Sequence, residues 1–115
     1  MNLISMECTP KDRIIAPLKR GDAFELLNDL QAWSLEDGHL VRRFERQNIS
    51  ECLSFAGEVI RYSEKCGHIP DVSIRKGREI TISWYSYQCG GLTINDFIMA
   101  AKLDMREFAI RGTSA

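Results

Sequence analysis

Apolar residues recur at three- and four-residue steps in three segments of the chain, and this spacing predicts three amphipathic helices. Each segment opens with a residue suited to cap a helix, followed three residues later by an acidic partner. These cap pairs are Asp22 and Glu25, Asn48 and Glu51, and Thr93 and Asp96. The apolar faces carry Phe24, Leu26, Leu27, Leu30 and Trp33; then Ile49, Cys52, Leu53, Phe55, Ala56, Val59, Ile60 and Tyr62; then Ile94, Phe97, Ile98, Ala101, Met105 and Phe108.

Residues that break helices set the expected ends of the first two. The first helix is predicted to start at Asp22 and to end near Gln31. The second is predicted to end at Gly67, because glycine readily adopts the left-handed conformation after a helix and Pro70 forbids continuation. Its apolar stripe is wider than one sheet face requires, so part of it is expected to meet another subunit.

Alternating apolar and polar residues between the helices predict two β-hairpins. The first spans residues 33–46 around Asp37-Gly38, a dipeptide that tolerates positive φ. The second joins residues 71–75 to 79–87 through a turn at 76–78, with Trp84 facing the core and Tyr85 and Tyr87 on the other face. The order α-β-β-α-β-β-α predicts an α+β domain: a four-stranded, mainly antiparallel sheet with three helices on one face. Its other face would be open to a ligand.

The two ends of the chain lack this periodicity. Residues 1–20, with Pro10 and Pro17, are predicted to form an irregular N-terminal arm. Residues 21–109 form the predicted domain, and residues 110–115 a loose C-terminal tail.

Composition limits the class of protein. A length of 115 residues with 44% hydrophobic and 27% charged residues predicts one globular domain. Fifteen basic and sixteen acidic residues give a net charge of −1, which argues against direct nucleic-acid binding. No apolar run reaches the ~20 residues that span a bilayer, and the first residues lack the pattern of a signal peptide. We therefore expect a cytoplasmic protein that does not bind membranes.

The cysteines and histidines give no metal-site pattern. The four cysteines contain no Cys-x-x-Cys pair and are predicted to be reduced thiols. Only two histidines are present, His39 and His68, at a spacing unsuited to zinc. We expect no metal and no tightly held cofactor.

Several short motifs extend from Trp33 to Asp104. They are Leu40-x-Arg42-x-Phe44, Glu64-x-x-x-His68-x-Pro70-Asp71, Gly90-Gly91-Leu92-Thr93 with Asp96, and Ala100-x-x-Leu103-Asp104. Together they resemble the pterin-4a-carbinolamine dehydratase family, whose members remove water from 4a-hydroxytetrahydrobiopterin to give quinonoid dihydropterin. The resemblance implies a reduced pterin as substrate and a homodimer or homotetramer as assembly.

The resemblance also implies a histidine set that this chain keeps only in part. Typical members carry Glu-x-x-x-His-His-Pro and a further histidine shortly before Gly-Gly-Leu-Thr. Here Glu64, His68 and Pro70 match, whereas Ile69 and Tyr87 stand at the two other histidine positions.

Loss of the 4a-hydroxyl requires a proton for the leaving oxygen and removal of a proton from a ring nitrogen. Imidazole titrates near neutrality and suits both tasks, each worth ~10²–10⁴ in rate. Isoleucine can do neither, and tyrosine, whose ordinary pKa is ~10, is a poor base at pH 7. We therefore expect weak dehydration, with His68 as acid or base, Glu64 orienting it, and Asp96 and Tyr87 placing the ligand. The residues expected to contact the pterin are Pro70, Asp71, Tyr85 and Tyr87.

Each of these residues also has a purely structural interpretation. A histidine before proline often caps a helix, so the His68 ring could bond the last carbonyls of the second helix. Asp96 could be only the partner in a capping box. Tyr85 and Tyr87 could be ordinary cross-strand packing, or a stacking wall for a flat heterocycle. His39, beside the Asp-Gly turn, is expected at the surface.

A second function hypothesis is a catalytically silent homodimer that acts as a protein-binding or assembly factor. Members of the wider family are known as dimerisation cofactors of a homeodomain transcription factor, and dehydratase-like proteins of carboxysome-bearing bacteria assist Rubisco assembly. Ile69 and Tyr87 favour this hypothesis, whereas Glu64, His68 and Asp96 favour the enzyme.

Overall fold

A computed structural model of the chain describes residues 3–8, 16–106 and 109. Its elements follow the predicted order, after a short 3-10 turn at Leu3–Ser5. They are α1 (Arg20–Leu27), β1 (Ser34–Glu36), β2 (His39–Glu45), α2 (Ile49–Cys66), β3 (Asp71–Arg75), β4 (Glu79–Trp84) and α3 (Ile94–Asp104). The predicted α+β fold is confirmed. No helix in these ranges is both long and apolar enough to cross a bilayer.

The sheet has the strand order β1-β2-β4-β3, and every pairing is antiparallel. Leu40 of β2 lies opposite Trp84, and Asp71 of β3 lies opposite Ser83. The start of β2, the start of β3 and the end of β4 therefore share one end of the sheet. The loop after α2 and the chain leading into α3 meet at this end.

The two faces of the sheet differ in polarity. The inner face, which packs on the helices, carries alternate strand residues that are buried, among them Leu40, Phe44, Ile80, Ile82 and Trp84. The helices contribute Phe55, Val59, Phe97 and Ile98 to the same core. Burial of each such side chain contributes ~1.5–3 kcal/mol. The outer face carries polar residues such as Ser73 and Thr81, so it is the face left for a ligand.

The tight turn at residues 37–38, the end of α2 and two of the three predicted cap pairs are confirmed. Asp37 and Gly38 have φ of 51° and 78°, as a tight hairpin turn requires. The Asn48 side chain accepts from the backbone N–H of Glu51 at 2.9 Å. Gly67 ends α2 with φ of 77°. The capping box of Thr93 and Asp96 is present at the start of α3.

The predicted bounds of the first helix and its predicted cap pair, Asp22 and Glu25, are wrong. It begins at Arg20, after Lys19, which makes no side-chain cap bond, and it ends at Leu27. Beyond Leu27 the backbone continues in tighter turns, with the N–H of Leu30 donating to the carbonyl of Leu27 at 3.0 Å. These turns bring Leu30 and Trp33 into the core outside the helix. Phe24 is half exposed and does not belong to the buried face.

Two further predictions differ from the structure. β4 ends at Trp84 rather than at residue 87, because the carbonyl of Ser86 accepts from the N–H groups of Cys89 and Gly90 and turns the chain. Met105 is exposed, since α3 ends at Asp104 and Met105 is its C-cap. Phe108 lies outside the described residues.

Candidate functional site

His68 follows α2 in the loop that leads to β3. Its backbone N–H donates to the carbonyl of Ser63 at 3.2 Å, and that of Gly67 donates to the carbonyl of Glu64 at 3.1 Å. These main-chain bonds close the helix end. The imidazole therefore does not serve as the helix cap. Instead it stacks on Trp84, with ring centroids 5.4 Å apart and planes at 22°.

The hydrogen-bond partner of the imidazole is Asp96, in the first turn of α3. Nε2 of His68 lies 2.6 Å from Oδ1 of Asp96. The other oxygen, Oδ2, accepts from the Ser86 hydroxyl at 2.8 Å and from the Thr93 backbone N–H at 2.9 Å. Asp96 is fully buried. It therefore completes the capping box and holds the ring at the same time.

The bond to Asp96 determines what the imidazole can do. A carboxylate is an acceptor, so Nε2 of His68 is the nitrogen that carries the donated proton. The other nitrogen, Nδ1, has no hydrogen-bond partner among residues 3–8, 16–106 and 109, and the side chain is 17% exposed. Nδ1 can therefore accept or release a proton, with Asp96 stabilising the cation. A carboxylate behind an imidazole is a common arrangement for acid–base catalysis.

Glu64, expected to orient His68, lies on the exposed side of α2. Its carboxylate makes no hydrogen bond or ion pair with any described residue. The reason is the left-handed conformation of Gly67, which ends the helix before His68 and removes the one-turn spacing between the two side chains. The orienting contact comes from Asp96 instead.

A second group of side chains, here called the outer-face cluster, consists of His39, Asp71, Tyr85 and Tyr87. His39 stacks on Tyr85 with ring centroids 4.2 Å apart and planes at 20°. Tyr87 meets Tyr85 edge-on at 4.9 Å. The phenol of Tyr87 donates to Oδ2 of Asp71. This hydrogen bond is the main reason that the pKa of Tyr87 is raised, so Tyr87 is a donor and not a base near neutrality.

Asp96 and Tyr87, which were both expected to place the ligand, lie in different groups of side chains. Side chains alternate between faces, so Ser86 reaches Asp96 on the inner side while its neighbours Tyr85 and Tyr87 join the outer-face cluster. No hydrogen bond or ring contact joins His68 to Tyr87 in the described part of the chain. The segment 85–87 links the two groups, because Ser86 bonds Asp96 while Tyr85 and Tyr87 belong to the outer-face cluster.

The two positions at which the resemblance implies further histidines are both open to solvent. Ile69 is 42% exposed and Tyr87 is 65% exposed. Pro70, between Ile69 and Asp71, is buried and fixes the path of the loop into β3. At the two positions where the resemblance implies histidines, the surface therefore presents an aliphatic side chain, Ile69, and a phenol, Tyr87.

The contact of the His39 ring with Tyr85 was not predicted from the sequence. The expectation of a surface residue is correct only in part, because the ring is half-buried against Tyr85. Alternation along the hairpin places His39 on the same face as Val41, a signal that was available. The contact with Tyr85 depends on the pairing of β2 with β4, which a single sequence does not reveal.

Comparison with known proteins identifies the family. Residues 16–106 match the family model described as pterin 4 alpha carbinolamine dehydratase. A protein of Cupriavidus pinatubonensis named "Putative pterin-4-alpha-carbinolamine dehydratase 1" is 41% identical over 102 residues, covering 87% of each chain. A protein of Methylococcus capsulatus named "Putative pterin-4-alpha-carbinolamine dehydratase" is 38% identical over 105 residues. The match covers 90% of this chain and 91% of that one.

A solved structure shares the fold. The crystal structure of a transcriptional coactivator/pterin dehydratase from Brucella melitensis has a TM-score of 0.66 and 24% sequence identity. The likeness covers 75% of this chain and 93% of the other. Given the match over residues 16–106 and the identity to curated relatives, this chain belongs to the pterin 4 alpha carbinolamine dehydratase family.

Proposed function

We propose that this protein dehydrates 4a-hydroxytetrahydropterins to quinonoid dihydropterins, at a lower rate than family members with a full histidine set. The observation that supports it most strongly is the bond of 2.6 Å between Nε2 of His68 and Oδ1 of the buried Asp96. That bond leaves Nδ1 as an oriented proton donor and acceptor. Family membership supports a reduced pterin as the substrate.

In the proposed step the C4a–O bond breaks and the oxygen keeps its electron pair. Protonated His68 supplies the proton that converts the leaving hydroxyl to water. The ring nitrogen loses its proton to water, and the electron pair of that N–H bond forms the C=N bond of the quinonoid product. Asp96 stabilises the charged imidazole before the transfer and holds the ring in one orientation.

We propose that the pterin lies over the outer end of the sheet, in contact with Pro70, Asp71, Tyr85 and Tyr87. Aromatic faces favour planar heterocycles, which fits Tyr85 and Tyr87. The carboxylate of Asp71 can accept from the amino and ring N–H groups of a pterin. Asp71 starts β3, three residues after His68, so the chain between them spans at most ~10 Å.

The reduced rate follows from which proton-transfer groups this end of the sheet retains. Ile69 cannot exchange protons, and Asp71 raises the pKa of Tyr87 further above neutrality. One positioned acid or base contributes ~10²–10⁴ in rate, so the absence of an imidazole at these positions costs a factor of that size.

The test is the rate of 4a-hydroxypterin dehydration by the wild type, His68→Ala and Ser73→Ala. Ser73 is an exposed residue elsewhere on the outer face and serves as the control. We expect a wild-type rate above the uncatalysed background, a similar rate for Ser73→Ala and a loss of about ten-fold or more for His68→Ala. A wild-type rate at background would remove the proposal.

A second candidate function is protein binding by a catalytically silent assembly. It is favoured by the outer stripe of α2, four residues at helical spacing that face away from the core: Ile49, Leu53, Ala56 and Ile60. Ile49 is 49% exposed and Leu53 is 59% exposed, so the stripe forms an apolar patch at the surface of α2. We propose that this stripe joins subunits into a homodimer or homotetramer. A partner protein would then dock on the assembled form, a role consistent with the coactivator description of the Brucella protein.

A further inference from the structure

The end of β4 supports both members of the pair formed by His68 and Asp96. The indole of Trp84 stacks on the imidazole of His68, with ring centroids 5.4 Å apart and planes at 22°. Two residues further along the chain, the Ser86 hydroxyl donates to Oδ2 of Asp96 at 2.8 Å. One short segment therefore holds the imidazole through residue 84 and the carboxylate through residue 86.

The hydrogen bond to Asp96 does not by itself fix the plane of the imidazole. The ring of His68 is attached to the chain at Cγ and bonded to Asp96 at Nε2. It can still turn about the axis through those two atoms, and such a turn moves Nδ1 sideways. The stack on Trp84 opposes this turn, because it holds the two ring planes nearly parallel. The two contacts together determine where Nδ1 is directed.

The indole N–H of Trp84 indicates that packing alone does not account for this residue. Trp84 is fully buried, yet its Nε1 has no hydrogen-bond partner among the residues that the structure describes. A buried N–H without a partner destabilises a fold, and an aliphatic or phenyl side chain would fill a core without that cost. By contrast, Nε1 of Trp33 bonds the carboxylate of Asp104. The face of the Trp84 ring, rather than its N–H, is therefore the part that makes a specific contact.

An aromatic face also suits the charged form of the imidazole. Aromatic rings attract a cation that lies within ~6 Å of the ring centroid, and tryptophan does so most strongly. The distance of 5.4 Å between the rings of Trp84 and His68 lies in that range. In the proposed reaction protonated His68 is the acid, so the indole favours the form that donates. An aliphatic side chain at residue 84 would exert no such attraction.

We propose that Trp84 is a positioning residue of this protein, which holds the imidazole of His68 in the plane that directs Nδ1 at the pterin. The inference rests on the proposed dehydratase function. Trp84 is buried and takes no part in the proton transfer itself, so it acts through His68. Because proton transfer depends steeply on the geometry of donor and acceptor, a ring that is free to turn transfers its proton more slowly.

Two substitutions separate the ring face from the bulk of the side chain. Trp84→Phe keeps an aromatic face against His68, whereas Trp84→Leu fills part of the same space without one. We expect kcat to fall by about ten-fold in Trp84→Leu and by less than about three-fold in Trp84→Phe. KM should change by less than about two-fold in both, because the buried indole does not contact the substrate.

The control for a general loss of stability is Ile82→Ala. Ile82 is fully buried on the same face of β4, and its truncation should keep kcat within about two-fold of the wild type. Denaturant titration followed by circular dichroism establishes that each variant is folded under the assay conditions. If Trp84→Leu is not, Trp84→Met takes its place, because the flexible methionine side chain adapts to irregular gaps.

A second readout does not depend on turnover. In protein labelled with nitrogen-15 in its imidazole rings, NMR distinguishes the two nitrogens of His68, and His68→Ala assigns the signals. At alkaline pH, where imidazole is neutral, we expect one dominant tautomer, protonated at Nε2, in the wild type and in Trp84→Phe. We expect a mixture of both tautomers in Trp84→Leu, because a ring that turns bonds Asp96 less well.

The outcomes separate this inference from the function on which it rests. A wild-type rate at background would remove the dehydratase proposal and with it the catalytic role of Trp84. An active wild type with an unchanged kcat in Trp84→Leu would overturn the role of Trp84 alone. An equal loss in Trp84→Phe or in Ile82→Ala would also overturn it, since the aromatic face would then not be the cause. A single tautomer in Trp84→Leu would show that the indole does not orient the ring.

Discussion

Nε2 of His68 and Oδ1 of Asp96 lie 2.6 Å apart, joining the loop after α2 to the first turn of α3. The same carboxylate completes the capping box of α3 through the N–H of Thr93. Asp96 thus serves the fold and the candidate site with different oxygen atoms. The capping and the catalytic interpretations of this residue are therefore compatible.

Because Asp96 is fully buried and accepts from His68, Ser86 and Thr93, Asp96→Ala should strongly destabilise the fold. Buried groups left unsatisfied cost ~1–3 kcal/mol each, so we expect a loss of about 2–4 kcal/mol in the free energy of unfolding. Denaturant titration followed by circular dichroism measures it. Asp22→Ala, at an exposed site on α1, should change stability by no more than ~0.5–1 kcal/mol. Equal stabilities of the two variants would contradict the structure of this network.

The variant Glu64→Ala tests whether Glu64 or Asp96 orients the His68 ring. Glu64 is exposed and does not bond the ring, so we expect its removal to change the dehydration rate by less than about two-fold. The readout is kcat under the conditions used for His68→Ala. A loss as large as that of His68→Ala would assign the orienting role to Glu64 after all.

Asp71→Ala should lower the pKa of Tyr87 toward the ordinary tyrosine value. The carboxylate of Asp71 binds the protonated phenol and repels the phenolate, and this contact is the main reason that the pKa is raised. Removing it favours the phenolate, so the titration moves to lower pH. Ring NMR signals followed against pH, with Tyr87→Phe used for assignment, give the measurement. An unchanged titration midpoint would show that the contact with Asp71 does not govern this phenol.

Leu53→Glu tests the outer stripe of α2 as a subunit interface. We expect the wild type to run as a dimer or tetramer in light scattering coupled to size exclusion, because an exposed apolar stripe gains by burial against another copy. A charge at residue 53 should shift the protein to a smaller species. Ser54→Glu places the same charge on an exposed neighbouring position that points away from the stripe, and should leave the assembly intact. A monomeric wild type would rule out the proposed interface.

The elements that the sequence predicted well are those fixed by neighbours in the chain. Asn48 finds its partner in Glu51, and the turn at Asp37-Gly38 depends on those two residues alone. The bounds of α1 could not be predicted from Asp22, because its start lacks a side-chain cap bond and its end depends on how Leu30 and Trp33 pack into the core.

The candidate site was predictable as a set of residues but not as a set of contacts. His68 and Asp96 were both expected, yet their bond depends on how the start of α3 meets the loop after α2. The stack of His39 on Tyr85 likewise requires the pairing of β2 with β4. Periodicity reports which face a side chain occupies, whereas these contacts depend on which elements are neighbours in space.

The most direct test is the initial rate of 4a-hydroxytetrahydropterin dehydration, followed by stopped-flow absorbance with wild-type protein and with His68→Ala. The expected result is a wild-type rate above the spontaneous reaction that falls by about ten-fold or more when the imidazole is removed. A wild-type rate equal to the spontaneous one, in protein shown by circular dichroism to be folded, would contradict the account.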